Sequence, residues 1–213
     1  SYNNNAYVGY MYKSGDVHGL STNSSIKTKL DEWYLANLSD EAEYLDGNAG
    51  FCGDRTSTTS SSGAPNNTGG TGTTNTYYGA RYRLYTNKTP TFKCTYEDAS
   101  GVKQDLYTTN GSSKGNGKLT YPIGLITADE VAFAGGVNGS SNSSYYLYNK
   151  ANYWTMSPCY YSNLAGVFLV SYNGFLNYSG VSSTWGVRPV INIRSDVAMT
   201  GSGTTTDPFR LAE

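Results

Sequence analysis

The scarcity of charged residues beside an abundance of tyrosine and glycine is the feature that most limits what this chain can fold into. Its 213 residues include 21 Tyr and 25 Gly, but only 15% are charged. Ser, Thr, Asn and Gly favour caps, turns and loops, whereas Tyr and Thr favour strands. Because 38% of the residues are hydrophobic, a sizeable core can still form. We therefore expect an α+β fold of short strands and many loops.

The charge balance excludes one class of partner. Fifteen Lys and Arg face 16 Asp and Glu, and a net charge of −1 provides no basic surface for nucleic acid. No apolar run approaches the length of a membrane span, so we expect no membrane insertion by this segment. The chain has one histidine, His18, and no CxxC pair, which argues against a zinc site. We expect neither a metal nor a cofactor.

The three cysteines, Cys52, Cys94 and Cys159, leave two interpretations open. Cys52 follows Phe51, and Cys94 lies two residues after Phe92, so both have strand-like apolar settings. They are either buried free thiols or partners in a disulfide formed in an oxidising compartment. Three cysteines permit three pairings, and the sequence does not choose among them.

Two segments carry helical signals. In residues 24–38 apolar residues recur at helical spacing, namely Ile26, Leu30, Trp33 and Leu38. The other face of this helix is charged and is formed by Lys27, Lys29, Asp31 and Glu32. Ser24 or Ser25 offers an N-cap. Thr127 and Glu130 form a capping box, which predicts a second helix from residue 128 to the glycines at 135–136.

The rest of the chain predicts short strands separated by polar loops. The strands are expected at 6–12, at 77–85, at 89–96 and repeatedly within 145–197. Long surface loops are expected at 56–76, 97–118 and 137–144, and a flexible tail at 201–204. Residues 56–76 could also be an interdomain linker. We favour a loop, because the flanking pairs at 51–52 and 77–78 look like parts of one core, and so predict a single domain over 1–213.

Three motifs follow one another in the second half of the chain. They read Gly-Leu-Ile-Thr-Ala-Asp-Glu at 124–130, Tyr-Trp-Thr-Met-Ser-Pro at 153–158, and Gly-Val-Arg-Pro-Val at 186–190. In order and spacing they resemble the formylglycine-generating-enzyme-like branch of C-type lectin folds. The resemblance is strong over about the last two fifths of the chain. It implies a C-type lectin-like fold, with two helices, many short antiparallel strands and long polar loops.

The second and third motifs also resemble a family of bacterial C-terminal domains that is common in gut Firmicutes. Some of these domains are similar to the variable proteins of diversity-generating retroelements, and some are fused to prepilin-like N-termini. Such retroelements mutate adenines, so that an Asn codon never becomes a codon for Lys, Gln, Glu, Met or Trp. Residues 157–184 contain none of these five. A chain so rich in Tyr, Ser and Asn can also show such a window by chance.

This resemblance implies an extracellular or cell-surface, adhesin-like domain with a variable ligand-binding segment at 157–184. Its partner would be a protein or glycan ligand on another cell, a phage or a host surface. Tyr, Ser, Gly and Asn are also the residues that antibody paratopes use. We expect residues 167–170 to form a core strand. The predicted ligand-binding face comprises Cys159, Tyr160, Tyr161, Ser162, Asn163, Leu164, Ser171, Tyr172, Phe175, Asn177, Tyr178, Ser182 and Ser183. Some of its aromatics, Tyr172 and Phe175 first, could instead pack inward.

Other residues of the motifs have structural explanations. Trp33, Trp154 and Trp185 are expected in the core. Arg188 stands among apolar neighbours and should be held by a carboxylate or by backbone carbonyls. Residues 157–184 contain no carboxylate, so we expect no calcium at the variable face.

Two other functions compete with the binder. A structural pilus or cell-surface subunit without a specific ligand predicts the same fold and composition. The formylglycine-generating branch also contains enzymes, which rely on reactive cysteines that bind copper. Here Cys159 has no second cysteine near it in sequence, His18 lies in a predicted loop, and the capping role explains Glu130. We therefore expect no catalytic residues and no enzyme.

Overall fold

The computed structural model describes residues 11–12, 22–68, 74–94, 105–112, 115–162 and 164–212. These residues form helices and short antiparallel strands in several small sheets, so the predicted α+β class is confirmed. The helical elements are α1 (Ser25–Asn37), a 3-10 helix (Ser39–Tyr44), α2 (Gly79–Arg81) continued by a π-helix (Tyr82–Asn87), and α3 (Ala128–Ala134).

Most strands are only two or three residues long. In chain order the strands are β1 (Met11–Tyr12), β2 (Thr22–Asn23), β3 (Phe51–Cys52), β4 (Ser57–Thr58), β5 (Thr76–Tyr78), β6 (Leu106–Tyr107), β7 (Gly111–Ser112), β8 (Gly115–Asn116), β9 (Ile123–Gly124), β10 (Tyr153–Tyr161), β11 (Ala165–Val170), β12 (Leu176–Gly180), β13 (Val190–Ile191), β14 (Met199–Thr200) and β15 (Arg210–Leu211).

A five-stranded antiparallel sheet, in the order β12-β11-β10-β5-β4, forms the centre of the molecule. Every residue of β11 is buried, which confirms the core strand predicted at 167–170. Alternate residues of a strand point to opposite faces of a sheet. Val167 and Leu169 belong to one hydrophobic cluster, together with Leu30 of α1. Phe168 belongs to a second cluster, together with Val131 of α3. Both faces of the sheet are therefore covered.

Helix α1 confirms the first predicted helix, but with a different buried face. The Ser24 hydroxyl caps it by accepting the N–H of Lys27 at 3.2 Å. The buried residues are Lys27, Leu30 and Tyr34, whereas Trp33 remains 41% exposed. The predictions of a core Trp33 and an outward Lys27 are thus wrong. Lys27 can be buried because its stem is apolar and its ammonium pairs with Asp31, one turn further on.

Helix α3 confirms the second predicted helix at both ends. The Thr127 N–H donates to a Glu130 carboxylate oxygen at 2.7 Å, and the Glu130 N–H donates to the Thr127 hydroxyl at 3.2 Å. The helix ends at Gly135, whose φ of 118° lies in the region that favours glycine. The capping box therefore sets where the chain turns from β9 into α3.

The strands predicted upstream of residue 100 are confirmed only in small part. Of 77–85, residues 77–78 are extended and the rest is helical, because this backbone turns Arg83 toward the carboxylates of Asp54 and Asp129. Residues 89–94 contain no strand, and 95–96 lie outside the described residues. Of 6–12, only residues 11–12 are described, and they pair with β2.

Two predicted loops contain paired strands, and the predicted tail is the loop between two paired strands. Residues 57–58 are buried as β4, because they pair with β5 in the central sheet, and 69–73 lie outside the described residues. Residues 106–107 pair with β3, and Tyr107 is fully buried. Residues 201–204 lie in the β14–β15 hairpin, where the Ser202 N–H donates to an Asp207 carboxylate oxygen at 2.8 Å, so the prediction of a flexible tail is wrong.

The cysteines and the remaining motif residues have defined places. Cys52 and Cys94 form a disulfide, which selects the second of the two interpretations. Trp154 is buried as predicted, but Trp185 is 38% exposed, so its assignment to the core is wrong. Trp185 stands outside because its backbone only flanks the sheet, where Gly186 bridges to the first residue of β10. Arg188 donates to the Leu147 carbonyl at 2.9 Å, as expected of an arginine held by backbone.

Within the described residues, no helix has both the length and the apolar character needed to cross a membrane.

Arg83 ties three parts of the fold together through ion pairs. Its Nε and Nη2 donate to the two carboxylate oxygens of Asp129 at 2.8 and 2.6 Å, and Nη2 also pairs with Asp54. Asp129 accepts the Thr91 N–H as well, at 2.9 Å. The π-helix, the segment after β3, and α3 are thereby joined at one largely buried guanidinium.

We expect the substitution Asp129→Asn to lower the free energy of unfolding by about 2 kcal/mol, because the largely buried Arg83 keeps only one of its two carboxylates. Urea denaturation of the folded chain measures this. The matched control is Asp196→Asn, which removes an exposed partner of Arg194 and should leave the urea midpoint unchanged. Equal midpoints for the two variants would contradict a structural role for the buried ion pairs.

Candidate functional site

The segment 157–184 forms three adjacent strands and the two turns between them. The end of β10 leads through residues 162–164 into β11, and residues 171–175 connect β11 to β12. The six residues of β11 span ~17 Å, since a strand rises about 3.3 Å per residue. The two turns therefore lie at opposite ends of the sheet, and the middle of the segment lies between them.

A β-bulge near the end of β10 brings two neighbouring side chains to one face. Pro158 pairs with Val167, and Tyr160 pairs with Gly166, which directly precedes Val167 in β11. One extra residue, Cys159, is thus inserted in β10, and such an insertion breaks the strict alternation of side chains. Cys159 and Tyr160 both pack with the hydrophobic cluster of Phe168. Tyr160 lies over Gly166, where a Cβ atom would come within 2.6 Å of its ring.

Four tyrosine rings surround the guanidinium of Arg81 on this face, and we call these five residues the Arg81 cluster. The Arg81 Cζ atom lies 4.8 Å from the ring centroid of Tyr85 and 5.4 Å from that of Tyr77. It lies 5.8 Å from the Tyr160 ring and 5.9 Å from the Tyr178 ring. The last two rings belong to the segment 157–184 and meet edge to face, with centroids 5.2 Å apart.

Burial keeps three titratable neighbours of Arg81, namely Cys159, Tyr85 and Tyr160, neutral at ordinary pH. Burial raises the pKa of the Cys159 thiol to about 12, and the thiol is fully enclosed. Burial likewise raises the pKa values of Tyr85 and Tyr160, to which the neighbouring Tyr178 also contributes. The cluster therefore carries the positive charge of Arg81, and its rings attract that charge through their π-electrons.

The predicted face is divided into three places. Tyr160 and Tyr178 lie together, half-buried, in the Arg81 cluster. Tyr172 and Phe175 lie in the turn between β11 and β12, and Tyr172 is 63% exposed, with its N–H donated to Asn152 at 2.7 Å. The other end of the sheet has partly or fully exposed residues, namely Ser162, Leu164, Ser182 and Ser183.

Several residues of the predicted face lie elsewhere. Cys159 and Ser171 are buried, so the prediction of their exposure is wrong. Cys159, the bulged residue, packs within the hydrophobic cluster of Phe168. The Ser171 carbonyl closes a turn by accepting the Gly174 N–H at 2.8 Å. Tyr161 packs on the opposite face of the sheet, against the cluster of Val167. Asn177, half-buried, neighbours Tyr178 in β12 and so also points to that opposite face. Asn163 lies outside the described residues.

Three residues of the Arg81 cluster were missed by sequence reasoning. Tyr77, Arg81 and Tyr85 come from β5, α2 and the π-helix, in a region that the sequence analysis assigned to a strand. The separation of four residues between Arg81 and Tyr85 is a signal that could have found these two, because residues four apart share one face of a helix. Arg83 lies between them in sequence and points to the buried carboxylates instead.

The described part of the chain contains no group of three His, Cys, Asp or Glu side chains close enough together to hold a metal ion.

Comparisons of the chain with protein-family models, with curated proteins and with solved structures find no match. The chemistry of the site must therefore be inferred from its own geometry. Half-buried tyrosines provide rigid apolar surface and hydroxyl groups that donate and accept hydrogen bonds, and Arg81 adds a cation. Such a set of side chains suits non-covalent binding.

We expect the Cys159 thiol to be unreactive in the folded protein, because it is enclosed and neutral. With Cys52 and Cys94 bonded, an aromatic disulfide reagent at pH 8 should detect no thiol in the native chain and one thiol in denaturant without reductant. The variant Cys159→Ala should show none in either condition. Rapid reaction of the native thiol would contradict the burial of Cys159.

Proposed function

We propose that this chain is a surface-displayed, ligand-binding domain of the C-type lectin-like fold, whose segment 157–184 is diversified by a retroelement. The ligand is a protein or glycan on another cell, a phage or a host surface. The observation that carries the proposal is the Arg81 cluster, in which Tyr160 and Tyr178 of the segment meet three residues from outside it.

The segment 157–184 combines a fully buried strand with half-buried tyrosines, and this contrast supports the proposal. Between the two tyrosines runs β11, all of whose residues are buried, whereas both tyrosines are half-buried. Side chains that lie partly at the surface of a fixed sheet can change with less effect on the core than fully buried ones, and rigid scaffolds commonly carry their binding residues in this way. The aromatic and polar character of the face is that of an antibody paratope.

The two motifs that flank the segment have structural places that fit a constant frame. Tyr153 and Trp154, which open β10, are buried, and Arg188 lies over the Tyr153 ring at 4.8 Å while it donates to the Leu147 carbonyl. Gly186 pairs with Tyr153 through a backbone bridge. The residues that precede and follow the segment thus hold each other.

The state of the cysteines favours binding over the chemistry of formylglycine-generating enzymes. Cys52 and Cys94 are bonded to each other, and the Cys159 thiol is enclosed and neutral at ordinary pH. A reactive cysteine needs an accessible thiolate. A purely structural surface subunit is the other alternative, and it differs from the proposal in predicting no diversification of 157–184.

We expect the genomic DNA next to this coding sequence to contain a near-copy of the codons for residues 157–190, beside a reverse transcriptase gene. The copy and the coding sequence should differ only where the copy has adenine. The differing codons should include those of Tyr160, Tyr172 and Tyr178, because these side chains reach the surface, and should spare the buried 167–170. Sequencing of this region makes the measurement.

The codons for residues 115–156 are the internal control, since they should have no adjacent copy. Absence of any copy of 157–190, or differences spread over all four bases, would contradict diversification. The binding face would then rest on its geometry alone, and a structural subunit would explain the chain equally well.

A further inference from the structure

Arg81 differs from the neighbouring arginines in what it contacts. Arg83 holds Asp54 and Asp129, and Arg55 holds Asp105. Among the described residues the contacts of Arg81 are four tyrosine rings and the Cys159 sulfur, 3.8 Å from Nη1. The Arg81 Nε atom is buried and makes no hydrogen bond to any described residue. The described structure thus gives Arg81 no carboxylate.

The charge of Arg81 is consequently not neutralised within its own surroundings. The Cys159 thiol is protonated at ordinary pH, because burial holds its pKa far above neutrality. A second cation, the Lys88 ammonium, lies 5.9 Å from the Tyr85 ring centroid and adds to the positive charge. Contacts with rings attract a guanidinium less strongly than the paired, charge-assisted hydrogen bonds of a carboxylate. The face therefore favours an anionic group from outside.

The edge of the central sheet indicates what kind of molecule could bring that anion. Strand β12 ends the sheet, and the Leu176 N–H points away from β11, since it donates to the Val137 carbonyl at 3.2 Å. In an antiparallel pair every second residue directs its backbone outward. Residues 137–138 already bond to this edge at Leu176. The N–H and carbonyl of Tyr178, two residues on, face the same edge, and no backbone group of the described residues pairs with them there. An extended polypeptide can pair with such an edge through its own backbone, which a glycan lacks.

From this charge and this edge we propose that the ligand is a polypeptide that presents the carboxylate of an Asp or Glu side chain to Arg81, within the ring of Tyr77, Tyr85, Tyr160 and Tyr178. This inference rests on the proposed function and gives it a ligand chemistry. The carboxylate takes the position opposite Arg81, and the tyrosines pack around it and exclude water, which strengthens the ion pair. Because two of the rings belong to 157–184, diversification would change the surroundings of the carboxylate while Arg81 stays constant.

The test selects peptides from a phage-displayed library of random dodecapeptides on the whole immobilised chain. Peptides selected on the native chain should be enriched in Asp and Glu over those selected on Arg81→Gln. As synthetic peptides they should bind Arg81→Gln at least about tenfold more weakly, the effect of one lost charge-assisted interaction. Arg194→Gln is the matched control, because that arginine is exposed and pairs with Asp196, and it should leave binding unchanged.

One further variant, compared with Arg81→Gln, separates this inference from the proposed function. Tyr178→Ala should also weaken the selected peptides, since it removes one wall of the cluster. Loss of binding with Tyr178→Ala but not with Arg81→Gln, and no enrichment in acidic residues, would overturn the carboxylate and leave the binding face standing. Binding that neither variant changes would contradict the face itself.

The remaining outcomes are also decisive. If Arg81→Gln does not fold, the acidic residue of each peptide is replaced by its amide, which leaves the protein untouched and should weaken binding by the same factor. Selection of no peptide would overturn a polypeptide ligand. So would Arg81-dependent binding to the sialylated but not the neutral members of a glycan array, since it would assign the carboxylate to a sugar.

Discussion

The burial of both faces of β11 is the constraint on which the rest of the structure depends. Its residues alternate between two hydrophobic clusters, with Val167 and Leu169 on one side and Phe168 and Val170 on the other. A sheet enclosed in this way needs covering elements on both faces, and α1 and α3 supply them. Large apolar side chains in these positions dominate the free energy of folding. The polar segments also contribute to this core where they pair, as Tyr107 does next to β3.

The few charged residues are mostly used in pairs. Most of the buried or partly buried cations that the structure describes form an ion pair with a carboxylate, as Arg83 does with Asp54 and Asp129. Two residues away, Arg81 faces aromatic rings instead. Two residues make about half a helical turn, so the two arginines point to opposite sides of the helix. One enters a structural ion pair and the other faces the tyrosines. One short segment thereby contributes to both stability and the proposed binding site.

The sequence predicted the elements whose signals are local. The capping box of Thr127 and Glu130 located α3, and the apolar run at 167–170 located the core strand. What it missed depended on distant contacts. The bulge at Cys159 depends on how β10 pairs with β11, and no local sequence pattern predicts it. The helical turn after Tyr78 was taken for a strand, since Tyr is common in strands. Three members of the Arg81 cluster were therefore missed, although Tyr160 and Tyr178 were named.

The central claim is that a fixed frame carries an exchangeable face, and a comparison of two displayed libraries tests it most directly. One library randomises Tyr160, Tyr172, Phe175 and Tyr178, and the other randomises the four residues 167–170. Resistance to protease on the cell surface reports the folded fraction of each. The account predicts that most members of the first library stay resistant and few of the second do. Equal loss of resistance in both libraries would contradict it.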